Sequence, residues 1–205
     1  PNSIRFARTS WTVEGWMLPA AGLSGESALI ERQVADGIYN YRLGIDPDRH
    51  PFVEMHVGVN DTTVKHRIAL DTVLPQRWVH LAASFDDAAN SLRLYIDGLL
   101  ADSKYVGSSA AFSGRGPVHT RIGRGFVGRI DEVRVWSIVR TREQLRALMT
   151  SPLTGEETAL VAYFPFDDGP QTVKTALDVT NDGVFDREPA DFPMGTVVLN
   201  TKDNT

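Results

Sequence analysis

The 205-residue sequence contains no cysteine, which excludes disulfide bonds, thiol catalysis and thiolate metal ligands. No apolar run approaches the roughly 18 residues that a membrane-spanning helix requires. The segment Pro1-Asn2-Ser3 lacks the basic and apolar regions of a signal peptide, and no initiating methionine is present. We therefore interpret the chain as an excised or processed piece of a longer protein, large enough for one all-β domain.

The charge of the chain is also unevenly distributed. The net charge of −5 argues against general nucleic-acid binding. Residues 115–146 nevertheless contain eight arginines and three acidic residues, so this segment carries +5 and the remainder −10. Arginine suits anions because its planar guanidinium offers paired N–H donors. The segment is a candidate anion-binding surface; the alternative is that its helix arginines are simply solvated.

Short runs of alternating apolar and polar residues, separated by turn residues, predict an antiparallel β-sandwich. The runs cover residues 10–18, 39–45, 52–59, 64–70, 78–85, 91–97, 118–123, 126–136 and 160–166, with one further candidate at 196–199. Asp97-Gly98 predicts a hairpin turn. Thr141 and Gln144 form a capping-box pattern before Leu145 and Leu148, which predicts one short helix.

Six segments, in this order and spacing, resemble the laminin-G-like and pentraxin-like domains of the concanavalin A-like lectin/glucanase group. They are SWTVEGW at 10–16, WVHLA at 78–82, LYIDG at 94–98, IGRG at 122–125, GRIDEVRVW at 128–136 and LVAYFPFD at 160–167. The resemblance implies an all-β, two-sheet antiparallel jelly-roll sandwich with one short helix over residues 1–169. Residues 170–205 then form a polar extension that closes the sandwich or links it to a following domain.

The acidic residues of the sequence do not form a recognisable hydrolase pair. A glycoside hydrolase needs two carboxylates about 5–10 Å apart across the sugar bond. Asp131 and Glu132 are the nearest candidates, but adjacent residues of a strand face opposite sides. Asp131 shares parity with Val133 and is expected to point into the core. His80 lies in an apolar run and is expected to be a buried imidazole bonded to backbone. We therefore predict a protein that is not an enzyme.

A structural calcium ion is a further expectation, because the resemblance implies a common calcium site at the rim. Calcium prefers six to eight oxygen ligands from carboxylates, amides and backbone carbonyls. The predicted ligands are Asp131, Asp167, Asp178 and Asn181. The alternative is that acidic clusters stabilise turns and that Asp131 accepts backbone hydrogen bonds. The two-calcium site of pentraxins is not expected, since residues 124–127 contain no acid.

Candidate ligand-binding residues are polar positions opposite the core, together with two arginines of the basic segment. They are Arg42, His56, Tyr95, Arg121, Arg124 and Arg134. Most tryptophans have a structural explanation, since Trp11, Trp16 and Trp78 fall in strands assigned to the core. The resemblance further implies that sulfated or uronic polysaccharides are possible ligands for the basic segment.

The predicted function is a non-catalytic binding or adhesion module of a larger exported protein that recognises carbohydrate. Its expected location is extracellular or at the cell surface. The expected partners are a glycan or an extracellular protein, with neighbouring domains of the parent chain and without nucleic acid or a membrane span. The alternatives are a protein-interaction or architectural spacer domain and, less favoured, a polysaccharide-active enzyme.

Overall fold

The computed structural model describes residues 10–59, 62–107 and 119–167, together with two short strands at 176–177 and 186–187. These residues form one helix, α1 (Arg142–Leu148), and thirteen strands. The strands are β1 (Trp11–Pro19), β2 (Ser27–Ala35), β3 (Ile38–Ile45), β4 (Pro51–Val59), β5 (Thr62–Ala69), β6 (Val79–Asp86), β7 (Ser91–Ile96), β8 (Leu99–Tyr105), β9 (His119–Ile122), β10 (Gly128–Trp136), β11 (Leu160–Phe164), β12 (Ala176–Leu177) and β13 (Asp186–Arg187). No helix in this described part is long and apolar enough to cross a membrane.

Two antiparallel sheets contain eleven of these strands. The six-stranded sheet has the order β11-β10-β1-β6-β7-β8, and the five-stranded sheet has the order β5-β4-β3-β2-β9. Strands β12 and β13 pair only with each other. The predicted all-β, two-sheet jelly-roll sandwich with one short helix is therefore confirmed. The predicted boundary at residue 169 and the candidate strand at 196–199 lie outside the described residues and stay predictions.

The core lies between the two sheets and follows from strand alternation. In β1 the side chains of Trp11, Val13 and Met17 are buried on the inner face. The Trp11 ring lies 5.3 Å from that of Tyr41, which β3 contributes from the opposite sheet. Fully burying a large apolar side chain stabilises the fold by about 1.5–3 kcal/mol. The inward-facing residues therefore hold the sheets together.

Among the strands of the two sheets, β2 has no counterpart in the sequence prediction, whereas β8 is indicated only by the Asp97-Gly98 hairpin turn. The pairing of β2 with β3 shifts register at three places, between Ala28 and Ile30 and twice between Arg32 and Ala35. Each shift interrupts the period of two by which a strand is recognised in sequence. The missed strand carries Glu31, the carboxylate on which three arginines of the five-stranded sheet converge, as described below.

Helix α1 begins at the predicted capping box. The Thr141 hydroxyl accepts a hydrogen bond from the Gln144 amide at 3.3 Å, and the Gln144 side chain accepts one from the Thr141 amide at 2.9 Å. Leu145, the buried residue of the helix, packs on Tyr95 and Ala82. The helix therefore covers part of the outer face of the six-stranded sheet, which is the face turned away from the core.

Candidate functional site

A β-bulge in β10 determines where its acidic residues point. Glu14 of β1 pairs with Arg134, whereas Trp16, two residues later, pairs with Asp131. Strand β10 therefore holds one extra residue, and Glu132 takes a positive φ of 52° within the bulge. Cross-strand partners share a face, so Asp131 lies with Trp16 on the outer face of the sheet. The expectation that Asp131 points into the core is wrong, because alternation breaks at the bulge.

The bulge also brings neighbouring carboxylates together. The Glu132 carboxylate accepts hydrogen bonds from Arg134 and, at 2.7 Å, from the Tyr163 hydroxyl. One oxygen each from Asp131, Glu132 and Asp167 all lie within 4.8 Å of one another. The argument that Asp131 and Glu132 face opposite sides is therefore wrong.

These carboxylates line a shallow cavity of about 480 Å³ that is open to solvent on the outer face of the six-stranded sheet. It is lined by Trp16, Trp78, Asp131, Glu132, Met149, Thr150, Ser151, Pro152 and Asp167. Trp78 is 37% exposed, and the Trp16 indole N–H donates to the Met149 carbonyl at 2.6 Å. The assignment of Trp16 and Trp78 to the core is wrong. Trp16 has outer-face parity, and Trp78 precedes β6.

The acidic cluster is incompletely neutralised. Burial, together with the charges of Glu132 and Asp167, raises the pKa of Asp131 above its ordinary value, although the Glu132 amide and Arg134 act in the opposite direction. Burial and the hydrogen bond to Glu132 also raise the pKa of Tyr163. The cavity therefore favours ligands that donate hydrogen bonds or carry positive charge.

Arg134 lies beneath one wall of this cavity and holds that wall in place. Its guanidinium donates to the carbonyl oxygens of Leu148 and Ser151, each at 2.7 Å, and contacts Glu132. The side chain is 1% exposed. Arg134 is therefore not accessible to a ligand, and the prediction that it binds one is wrong. The end of α1 and the segment after it cover its side chain. The same holds for Tyr95, which is buried beneath Leu145.

A buried polar pair lies beside the cavity. His80 Nε2 is 3.1 Å from a Glu14 carboxylate oxygen, and both side chains are 1% exposed. The other Glu14 oxygen accepts from the Trp136 indole at 2.6 Å. The Trp16 ring packs edge-on against the His80 ring at 5.3 Å. Burial of His80 is confirmed, but its imidazole partner is a carboxylate and not the backbone. The His80–Glu14 pair therefore lies beneath Trp16 and supports the part of the cavity wall that this tryptophan forms.

Two of the four predicted metal ligands lie among the described residues. Asp131 and Asp167 lie together as predicted, and Glu132 joins them. Asp178 and Asn181 lie outside the described residues, so their part in a calcium site stays a prediction. A second cluster, Asp46, Asp48 and His50, is explained by the turn between β3 and β4. There one Asp46 oxygen accepts from the amides of Asp48 and His50, each at 2.9 Å.

The outer face of the five-stranded sheet carries a row of alternating charge, one residue on each strand. Directly paired neighbours along this row are Arg121, Glu31, Arg42, Glu54 and Arg67. Arg67 contacts Glu54 at 2.9 Å, and Glu26 bridges Arg67 and Arg42 at 2.7 and 2.8 Å. The sequence did not predict the row, because Glu31 lies on the unrecognised strand β2.

Three predicted ligand-binding arginines of this face converge on the buried Glu31 carboxylate. Arg121 and Arg124 approach one Glu31 oxygen at 3.5 and 3.2 Å. The Arg42 Nε atom is 3.2 Å from the other oxygen, as an ion pair without hydrogen-bond alignment. His56 lies on the same sheet, where its Nδ1 accepts from the Tyr39 amide at 3.1 Å. Three of the six predicted residues, Arg42, His56 and Arg121, therefore lie on one sheet, and Arg124 follows directly after its strand β9.

Comparison with known proteins gives the family. The sequence matches the laminin G family model described as the concanavalin A-like lectin/glucanases superfamily over residues 1–146. The chain belongs to this superfamily. The laminin-G-like resemblance of the sequence is therefore confirmed, and β11 extends the sandwich beyond the matched residues. No curated protein matches the sequence.

Solved structures share the fold of this superfamily member. A proposed carbohydrate-binding protein of Bacteroides ovatus is 21% identical, with a TM-score of 0.58, 91% of this chain covered and 55% of that one. The CBM40 of the Ruminococcus gnavus IT-sialidase, bound to α2,3-sialyllactose, is 14% identical, with a TM-score of 0.55 and coverage of 70% and 84%. The botulinum neurotoxin DC binding domain, in complex with rat synaptotagmin II, is 13% identical, with a TM-score of 0.53 and coverage of 74% and 38%.

These likenesses concern the fold, since all three identities are low. The superfamily domain spans about half the length of the Bacteroides ovatus protein and less of the neurotoxin chain. Activities and partners of those longer proteins are therefore treated below as proposals.

Proposed function

We propose that this domain is a non-catalytic carbohydrate-binding module of a larger exported protein. The observation that carries the proposal is the outer-face cavity, in which two tryptophans and three carboxylates converge. Small-molecule sites combine apolar and aromatic walls with a few polar groups that fix orientation. A pyranose ring meets these needs, because it has an apolar face and a rim of hydroxyl donors.

The chemistry of the cavity indicates how a sugar would be held. The exposed Trp78 ring offers a flat apolar surface for one face of the pyranose. Sugar hydroxyls donate to the carboxylates of Asp131 and Asp167, and charge-assisted hydrogen bonds of this kind are the stronger ones. Support also comes from the carbohydrate ligand of the Ruminococcus gnavus CBM40.

The acidic cluster would also hold one calcium ion. Asp131 and Asp167 supply hard oxygen donors, which suit calcium, and the Glu132 carboxylate, held by Arg134 and Tyr163, adds negative charge beside them. The raised pKa of Asp131 fits this proposal, because burial and, after it, the charges of Glu132 and Asp167 disfavour the ionised carboxylate, which a cation would stabilise. When bound, calcium would neutralise the cluster and fix the carboxylates that line the cavity. Calorimetric titration should detect binding that Asp167→Asn weakens; calcium binding unchanged in this variant would contradict the assignment.

Trp78→Ala tests the glycan site. We expect it to lose at least about tenfold in affinity for a ligand identified on a glycan array, because the stacking surface is removed. Tyr105→Ala is the matched control, since Tyr105 is an aromatic residue of β8 that is 69% exposed and does not line the cavity. Equal loss in both variants, or no loss in Trp78→Ala, would exclude the cavity as the glycan site.

A glycoside hydrolase is the second candidate, favoured by the shared cavity of Asp131, Glu132 and Asp167. Two carboxyl groups about 5–5.5 Å apart are the arrangement of retaining enzymes. Against this, both Glu132 oxygens are engaged, one by Arg134 and one by Tyr163. Turnover of a polysaccharide panel that Asp131→Asn abolishes would establish the enzyme; no turnover by the native protein supports the binding module.

A protein-contacting or spacer role remains the alternative within the binding class, and the neurotoxin neighbour in complex with synaptotagmin II is of this kind. An extracellular or cell-surface location is part of the proposal and is tested by fractionating cells that express the parent protein. Binding to a purified extracellular protein without any glycan response would favour the alternative.

A further inference from the structure

The outer-face cavity holds more negative charge than its one nearby arginine balances. Three carboxylates lie together, those of Asp131, Glu132 and Asp167, and the guanidinium of Arg134 pairs with Glu132 alone. Within the described part of the chain, no lysine, arginine or histidine lines the cavity. Asp131 and Asp167 are therefore left without an ion-pair partner among these residues.

These two carboxylates also keep hydrogen-bond acceptors open. One Asp131 oxygen accepts from the Glu132 amide at 2.9 Å. The described residues offer no donor to its second oxygen or to either oxygen of Asp167, which is exposed. The nearby Trp16 indole N–H is already used by the Met149 carbonyl. A ligand at this place therefore has to bring its own donors.

Aromatic and acidic side chains border the same space because of how the strands pair. Trp16 of β1 is the cross-strand partner of Asp131 on one side and of His80 on the other. Trp78 immediately precedes β6 and lines the same cavity. The face of an indole ring attracts cations more strongly than other aromatic rings do. A ligand with an apolar ring, N–H donors and positive charge therefore matches both the carboxylates and the tryptophans.

We propose that the ligand of this cavity is an amino sugar whose protonated amine lies between Asp131 and Asp167. This inference rests on the function proposed above and names the class of sugar. An ammonium group brings three donors and a full charge, whereas a hydroxyl brings one donor and no charge. Burial and, after it, the neighbouring carboxylates raise the pKa of Asp131, so a cation beside it would stabilise its ionised form.

The shape of the cavity favours an amino sugar over other organic cations. The cavity is shallow, open to solvent and about 480 Å³ in volume. The narrow stem of a lysine side chain would leave most of this space unfilled. A quaternary ammonium has no N–H group for the open carboxylate oxygens. A pyranose ring can cover Trp78, which is 37% exposed, and still place an amine on the acids.

The experiment compares sugars that differ at one carbon. Glucose, glucosamine and N-acetylglucosamine carry a hydroxyl, a protonated amine and a neutral amide at C2, and the galactose series repeats the comparison. Tryptophan fluorescence titration of the full chain, without calcium at about pH 6 and constant ionic strength, measures the dissociation constants. We expect each amino sugar to bind at least about tenfold more tightly than its neutral counterparts, because charge-assisted hydrogen bonds are stronger.

The possible results separate this inference from the proposal of a glycan-binding module. Neutral sugars that bind as tightly as amino sugars would overturn the inference and leave the module intact. Neutral glycans that bind on an array, without any response to the amino sugars, would do the same. Silence of all six sugars and of the array contradicts the module itself. Nα-acetyl-lysine methylamide has the ammonium without the ring, and binding equal to that of glucosamine would favour a protein ligand and overturn the inference.

Matched variants locate the amine. Asp131→Asn and Asp167→Asn each remove one charge at nearly constant size, and either should reduce the preference for glucosamine over glucose to less than about threefold. The affinity for glucose should fall less, because the amide oxygen still accepts hydrogen bonds. Asp71→Asn removes the same charge from an exposed position outside the cavity and should keep the native preference. An equal change in Asp71→Asn would attribute the preference to the net charge of the chain and contradict the site. Unchanged thermal unfolding midpoints check that the variants fold.

Calcium supplies an independent test, because it would compete with the amine for the same two carboxylates. Once calorimetry shows calcium bound, saturating calcium should weaken glucosamine binding, and a chelator should restore it. If bound calcium strengthens glucosamine binding or leaves it unchanged, the amine lies elsewhere and the inference is wrong.

Discussion

Arg134 and Glu132, two residues apart on β10, form an ion pair in which the arginine is 1% exposed and the carboxylate 16%. The same guanidinium holds the carbonyl oxygens of Leu148 and Ser151. The pair therefore joins the bulged strand to the segment that follows α1. Through these bonds the bulge and the cavity wall form one unit.

Arg134→Met should lower the free energy of unfolding by about 3 kcal/mol, because Glu132 loses its cation and two carbonyl oxygens lose their donor. Urea denaturation followed by tryptophan fluorescence measures this change. Arg142→Met, at an exposed position of α1, should stay within about 0.5 kcal/mol of the native protein. Similar changes in the two variants would show that the Arg134 bonds do not stabilise the wall.

Gly44→Ala should be strongly destabilising, because its new methyl carbon would lie 1.9 Å from the Ser27 carbonyl oxygen of β2. Strands β2 and β3 would have to separate, at an expected cost of about 2–3 kcal/mol in the free energy of unfolding. Gly25→Ala is the control, since no atom lies within 4 Å of its added carbon. Equal thermal unfolding midpoints for Gly44→Ala and Gly25→Ala would show that Ser27 of β2 does not approach Gly44 this closely.

Thr141→Ala should reduce stability by about 1 kcal/mol, because the first turn of α1 loses its capping hydroxyl. Thr141→Ser keeps the hydroxyl and should recover most of this loss. Chemical denaturation distinguishes the two variants. If serine and alanine behave alike, the hydroxyl is not the stabilising group.

The His56 imidazole should make stability depend on pH. Burial holds the pKa of His56 below its ordinary value of 6.5, and its Nδ1 accepts from the Tyr39 amide only when that nitrogen is unprotonated. The unfolded chain therefore binds this proton first as pH falls. The stability advantage of the native protein over His56→Gln should be complete above about pH 7.5 and shrink toward pH 5. An advantage that is constant, or that grows in acid, would contradict this sign.

Regular alternation explains what could be predicted from the sequence. Strands such as β4, whose inner residues Val53, Met55 and Val57 are all buried, follow the period of two and were found. The Asp97-Gly98 turn and the Thr141 capping box are local signals that do not depend on distant partners. These features were sufficient for the fold class and the helix.

The candidate site depends on departures from that period. The bulge at Glu132 reverses the face of Asp131, and the register shifts of β2 conceal the strand that carries Glu31. A bulge depends on how two strands pair, so counting along one strand does not find it. Tyr95 and Arg134 were placed on the correct face. Helix α1 covers Tyr95, and its last residue with the segment that follows covers Arg134, and the sequence does not state where they dock.

The alternating row on the five-stranded sheet has a consequence for folding. If β4 slid by two residues against β3, Arg42 would face Phe52 or His56 and not Glu54. Such a slip keeps every apolar residue on its proper face, so hydrophobic burial alone does not oppose it. The slip would separate Glu54 from Arg42 and, because β5 stays paired with β4, would move Arg67 away from the Glu26 that bridges it to Arg42. The row of charges therefore helps to specify the strand register. It favours one pairing over others that keep the same apolar residues on the core face.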